Sequence, residues 1–135
     1  MESRHVSAHI DRPFAEVYAY ASDPTNLPAW APGLLTSIDR VDGQWIAESG
    51  MGRLLIEFAP PNPFGVIDHD VTVPTGETFH NPMRVLPDGD GCEIVFTVRR
   101  QASMTDAEFD RDCAAVLADL RTLKQIVEAS ARLES

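Results

Sequence analysis

The sequence predicts an α+β domain in which a curved antiparallel sheet of about seven strands wraps one long C-terminal helix, with two short helices after the first strand. Three features point to it. The segment "MTDAEFDRDCAAVLADLRTLKQIVEASARL" places Phe109, Cys113, Val116, Leu117, Leu120, Leu123 and Val127 at intervals of three and four, an apolar stripe that a helix must bury. From residue 34 to residue 100 short apolar runs separated by turn signals suit antiparallel strands. Helical spacing before that run is confined to two short segments after residue 10.

Residues 3–10 read as the first strand. "DRPFAEVYAYASDP" then turns to helical spacing, with Phe14, Val17, Tyr18 and Ala21 on one face. Pro13 suits a first helical turn and Pro24 ends the run. Asp23 is the expected N-cap of a second short helix carrying Leu27 and Trp30, closed by "APG". Asp42-Gly43 is a two-residue hairpin signal between "LLTSIDRV" and "QWIAES". "RLLIEFA", the proline-rich loop "PPNPF", a hairpin over 65–85, the turn "PDGDG" and "CEIVFTVRR" follow. Thr105 with Glu108 forms a capping box, and Met104 with Phe109 a hydrophobic staple, so the start of the last helix is specified twice.

The length of 135 residues suits a single domain over 1–135, burying roughly two thirds of its unfolded surface. With 21 acidic against 11 basic residues the formal net charge is −10, which repels nucleic-acid phosphates and anionic membranes. "MESRHVSAHIDRPF" holds no apolar core of signal-peptide length, and no run approaches the roughly 18 apolar residues of a membrane span; a cytoplasmic location is expected. Cys92 and Cys113, the only cysteines, fall in a strand and on the apolar helix face, which suits reduced core thiols. No cofactor or metal motif occurs: "PDGDG" lacks the spaced oxygen ligands of a calcium loop, and the serines lack a nucleophile-elbow context. His5 and His9 share a strand face but have no carboxylate or cysteine of known position beside them, so a surface role is expected.

The stretches "RPFAEVYAYASDPTNLPAWAPG", "FGVIDHDV", "NPMRVLPDGDGCEIVFT" and "DCAAVLADLRTLKQIVE" together resemble the SRPBCC superfamily, with the helix-grip fold of START domains and the birch-pollen allergen, and in particular its polyketide cyclase/dehydrase-like branch. The likeness spans essentially the whole chain. It implies a hydrophobic cavity under the C-terminal helix and no fixed catalytic set.

The chemistry-bearing types concentrate in Asp68-His69-Asp70. Alternate residues of a strand face opposite sides, so a regular strand turns His69 away from both carboxylates and excludes a chelate from the tripeptide alone. A three-residue loop, Pro74-Thr75-Gly76, pairs Val73 with Glu77, Val71 with Phe79, His69 with Asn81 and Ile67 with Met83. The inner face is then apolar except for His69 and Asn81. Outside, Asp70 lies opposite His80 and Arg84 is one diagonal step from Asp68. The aspartates are therefore read as surface pairs. His69 is read either as a core imidazole satisfied by Asn81 or a backbone carbonyl, or as a ligand contact able to act as acid or base.

Ligand contact is expected from Trp30, Phe58, His69, Asn81, Met83, Phe96, Val116 and Leu120. The leading expectation is binding of a small hydrophobic, lipid-like or aromatic molecule between sheet and helix. The alternative is a cyclase or dehydratase with His69 as acid/base and Asn81 orienting it or the substrate. A third class is a partner-binding module working through the acidic surface. An exposed edge strand would be able to support a homodimer.

Overall fold

The computed structural model describes residues 2–134, with backbone alone at 131–134; Met1 and Ser135, the ends of the expected domain, lie outside the described residues. Eight strands and three α-helices follow in the order β1 Ser3–Ile10, α1 Phe14–Ala21, α2 Leu27–Trp30, β2 Ser37–Val41, β3 Gln44–Ser49, β4 Gly52–Phe58, β5 His69–Thr72, β6 Thr78–Asn81, β7 Met83–Asp88, β8 Gly91–Arg99 and α3 Asp106–Glu134. The strands form a three-stranded sheet in the order β1-β8-β7 and a five-stranded sheet in the order β2-β3-β4-β5-β6.

Local chemistry explains the turns. Asp42 and Gly43 take φ 52° and 80°, the left-handed pair of a two-residue hairpin, and Val41 pairs with Gln44. Asp23 caps a 3₁₀ turn at Pro24–Asn26 by accepting the Thr25 N–H at 3.0 Å. Pro13 sits one position before α1 rather than inside it, and its carbonyl accepts the N–H groups of Glu16 and Val17. At α3 the capping box is reciprocal: Glu108 N–H donates to Thr105 Oγ1 at 3.1 Å and Thr105 N–H to Glu108 Oε1 at 3.0 Å.

The second arm of the hairpin expected over 65–85 is two strands, broken at Pro82. Proline has no N–H for the ladder, so β6 ends at Asn81 in one sheet and β7 begins at Met83 in the other. Across the break the hairpin continues: Ile67 N–H donates to Met83 O at 2.8 Å and Val85 N–H to Gly65 O at 2.9 Å. One bent hairpin therefore joins the sheets and makes the concave surface. Gly65, at φ +74°, is required at its foot, because a Cβ there would lie 2.2 Å from Val85 O and 2.8 Å from Phe14.

The helix α3 lies across β1 and β8, with α2 and α1 against it. Its stripe of Phe109, Cys113, Leu120, Leu123 and Val127 is buried. Arg4 and Arg100 stack over the Phe109 ring at 4.8 and 5.8 Å, covering the start of the stripe. Both cysteines are free and buried, and burial pushes the Cys92 thiol up to about 11, which leaves it protonated and unreactive.

Candidate functional site

The hairpin over 65–85 closes through Pro74-Thr75-Gly76. Val73 N–H donates to Glu77 O at 3.0 Å, and Gly76 takes φ +94°. His69 then pairs with Asn81, Asp70 with His80 and Val71 with Phe79. On the other side of β5, His69 pairs with Phe58 and Val71 with Ile56, and Ile56 pairs with Trp45. Because paired residues share a face, two rows cross the concave surface of the five-stranded sheet: Trp45, Ile56, Val71 and Phe79, then Phe58, His69 and Asn81. From the other sheet Met83 pairs with Phe96, and the Phe96 ring reaches His69 in the second row.

His69 stands where the sheets meet. Its ring centroid is 5.6 Å from that of Phe58, tilted by 36°, and 5.8 Å from that of Phe96, near edge-on at 65°. Nδ1 lies 3.0 Å from the carbonyl oxygen of Ile67. A carbonyl only accepts, so Nδ1 carries the hydrogen and Nε2 the lone pair. Burial pushes the pKa of His69 below its ordinary value, outweighing the Ile67 carbonyl and the carboxylates of Asp68 and Asp70, which pull it up. The ring is neutral at pH 7.

The two aspartates turn outward but play different parts. Asp70 meets His80 Nδ1 at 2.6 Å, both side chains about half exposed, an ordinary surface pair. Asp68 is not ordinary: its side chain is 20% exposed, Oδ1 accepts the Met83 N–H at 2.9 Å, and Oδ2 accepts from Arg84 at 3.0 Å. It fastens the hairpin where Pro82 breaks the ladder.

A cleft of about 520 Å³ opens at the end of the two rows formed by Trp45, Ile56 and Phe58. One wall is sheet, with Arg40, Trp45, Ile56 and Phe58; the other is α1 and the 3₁₀ turn, with Tyr18, Ser22 and Pro24; Pro60 and Pro61 form a rim. The long helix does not line it, contrary to the expected cavity under α3, because α3 leans on β1 and β8 instead. The Arg40 guanidinium lies 5.7 Å from the centre of the Trp45 ring. Tyr18 hydroxyl accepts the Asn62 N–H at 3.0 Å. Asn62 in turn knits the rim, donating to Pro60 O and Val66 O and accepting the N–H groups of Phe64 and Val66.

Of the residues expected to meet a ligand, the fold gathers Phe58, His69, Asn81 and Phe96 on the concave surface, and Phe58 alone also lines the cleft. Val116 packs half-buried beside the α3 stripe. Met83 and Leu120 are enclosed in the core, 1% and 0% exposed, and offer almost no surface. Trp30 is buried in α2, and its Nε1 has no hydrogen-bond partner among the described residues. Tyr18, Arg40, Trp45, Ile56 and Asn62 are absent from the expected set. Three of them were within reach of the sequence: counting out from Asp42-Gly43 puts Arg40 opposite Trp45, and the next hairpin puts Ile56 beside both. Tyr18 and Asn62 enter through contacts between segments 44 residues apart.

The family model described as "Polyketide cyclase / dehydrase and lipid transport" matches residues 1–125. Among curated proteins, none matches the chain. Solved structures that it resembles include XoxI from Bacillus cereus, 14% identical, TM-score 0.75, covering 94% of this chain and 96% of that one. Ara h 8.0201 is 15% identical with TM-score 0.69, over 95% of this chain and 98% of that. A truncated norcoclaurine synthase from Thalictrum flavum is 13% identical with TM-score 0.65, over 93% and 92%. At these identities the likeness is one of fold.

Proposed function

The chain belongs to the polyketide cyclase / dehydrase and lipid transport family, and from that premise we propose that it binds a small apolar, aromatic or lipid-like molecule on the concave face of its five-stranded sheet. The observation that carries this is the cleft of about 520 Å³ walled by Trp45, Ile56 and Phe58, in the size range of small-molecule sites. An apolar occupant gains by leaving water there, and the two aromatic walls favour a flat one. Trp45 also serves as an optical probe, since an occupant of the cleft alters its fluorescence.

A second reading has its own support. A neutral imidazole between two aromatic rings is a competent base for an enol or ketone, so a cyclase or dehydratase step with His69 as acid/base and Asn81 orienting the substrate is the enzymatic form of the same site.

The test is to denature protein purified from its native host and identify released small molecules by mass spectrometry, then to return each to fresh protein. A near-stoichiometric apolar compound, recovered unaltered and quenching Trp45, bears out binding. Conversion to a new product that stops in His69→Ala moves the assignment to catalysis. An empty protein whose Trp45 emission ignores apolar probes would refute both.

A further inference from the structure

The two faces of the five-stranded sheet divide its charges unevenly. Arg40 pairs with Trp45 and Trp45 with Ile56, so Arg40 stands on the same face as the apolar wall of the cleft, which it lines with them. Among the described residues of β2 to β6 it is the one formal charge on that face. Asp39, its neighbour in β2, belongs to the other face, and Glu57, which also borders the cleft, lies on the outer face of β4 opposite Asp70. The cleft of a chain with net charge −10 thus presents a cation.

Arg40 also differs from the arginines that hold the fold together. Arg4, Arg84 and Arg100 are each met by a carboxylate, at 3.0, 3.0 and 2.6 Å. The Arg40 guanidinium instead lies 5.7 Å from the centre of the Trp45 ring, with no carboxylate partner among the described residues. A ring face attracts the cation, but it does not use the planar fork of N–H donors that fits the two oxygens of a carboxylate.

We infer that the cleft selects an apolar molecule carrying a single carboxylate, which Arg40 holds while the body of the molecule lies on Trp45, Ile56 and Phe58. The inference rests on the ligand-binding reading above and narrows it. A neutral occupant gains the same apolar contact but leaves the guanidinium to water. A carboxylate adds charge-assisted bonds beside an apolar wall, where they are stronger than in open water. One cation offsets one negative charge, and a second on the ligand would meet the field of an acidic chain uncompensated.

Two matched pairs of probes test this: 2-naphthoate with 2-naphthamide, and octanoate with octanamide, each titrated into the intact protein near neutral pH by calorimetry and Trp45 quenching. In the pair whose body fits, the acid should bind roughly tenfold more tightly than its amide, the low end for charge-assisted bonds because the cleft is open to water. Which pair binds tells an aromatic acid from a fatty acid. Arg40 is exposed, so Arg40→Gln leaves the core intact; there the amide should keep its affinity and the acid should fall below it, the negative field of the chain being then unopposed. Raising the salt from about 50 to about 500 mM should weaken the acid alone. An amide that binds as tightly as its acid, or an Arg40→Gln variant that weakens both alike, would overturn the inference and leave ligand binding standing. If neither pair binds, the ligand-binding reading falls for both classes of compound, and the inference falls with it.

Discussion

Replacing Asp68 with alanine tests whether this carboxylate holds the bend that makes the concave surface. It removes two interactions of unequal worth. The Met83 N–H belongs to a residue 1% exposed and its acceptor is Asp68 Oδ1 at 2.9 Å; Pro82 next to it cannot redirect the ladder. Losing a charge-assisted bond to a buried donor costs about 1.5–3 kcal/mol. The pair with Arg84, whose side chain is 40% exposed, is worth at most ~1 kcal/mol. Asp68→Ala should therefore lose about 2–4 kcal/mol in urea unfolding. With an unfolding entropy of about 2.1 cal/mol/K per residue over 135 residues, the midpoint falls by roughly 7–14 °C. Asp68→Asn keeps an oxygen for Met83 and should lose less, and Arg84→Ala should stay within ~1 kcal/mol. If Asp68→Ala and Arg84→Ala lose the same small amount, the aspartate is only a surface ion and the account of the bend is wrong.

Other consequences concern titration and helix ends. The pKa of His69 is lower folded than unfolded, so the unfolded chain takes up its proton first; this contribution to stability is complete above about pH 6.5. It is lost as pH falls through the folded value, and His69→Phe should flatten that part of the stability–pH curve; an unchanged slope would show that the ring is not desolvated. Among the charged groups that act on the ring through space, from the opposite face of the sheet, Asp68 and Asp70 oppose the effect and His80 adds to it. Asp119 is the opposite case: burial raises its carboxyl from 3.8 to about 6, so its contribution is complete below about pH 4 and is lost as pH rises through 6. Asp119→Asn should stabilise the protein at pH 7 by about 1 kcal/mol after allowing for solvent screening, with no gain at pH 3.5; equal midpoints at pH 7 would count against it. Thr105→Ala opens the capping box of α3 and should cost about 1 kcal/mol in thermal unfolding, while Glu108→Gln, which keeps the acceptor oxygen, should cost less.

What the sequence by itself determined is what short-range chemistry dictates. The α3 stripe follows from its three–four spacing, the α3 start from Thr105 and Glu108, and both hairpin turns from Asp42-Gly43 and Pro74-Thr75-Gly76. The register of the 65–85 hairpin follows too, and with it the inward His69 and the outward aspartates, because a turn of fixed length sets every pairing that grows from it. The tertiary structure alone decided what depends on segments distant along the chain. It placed Phe58 and Phe96 of different sheets around His69, gave Asp68 the Met83 N–H, chose the Ile67 carbonyl over Asn81 for Nδ1, and set α1 rather than α3 across the cleft. Periodicity states which face of an element is apolar but not which of several apolar faces it meets. That choice comes from packing all of them at once into one close-packed interior.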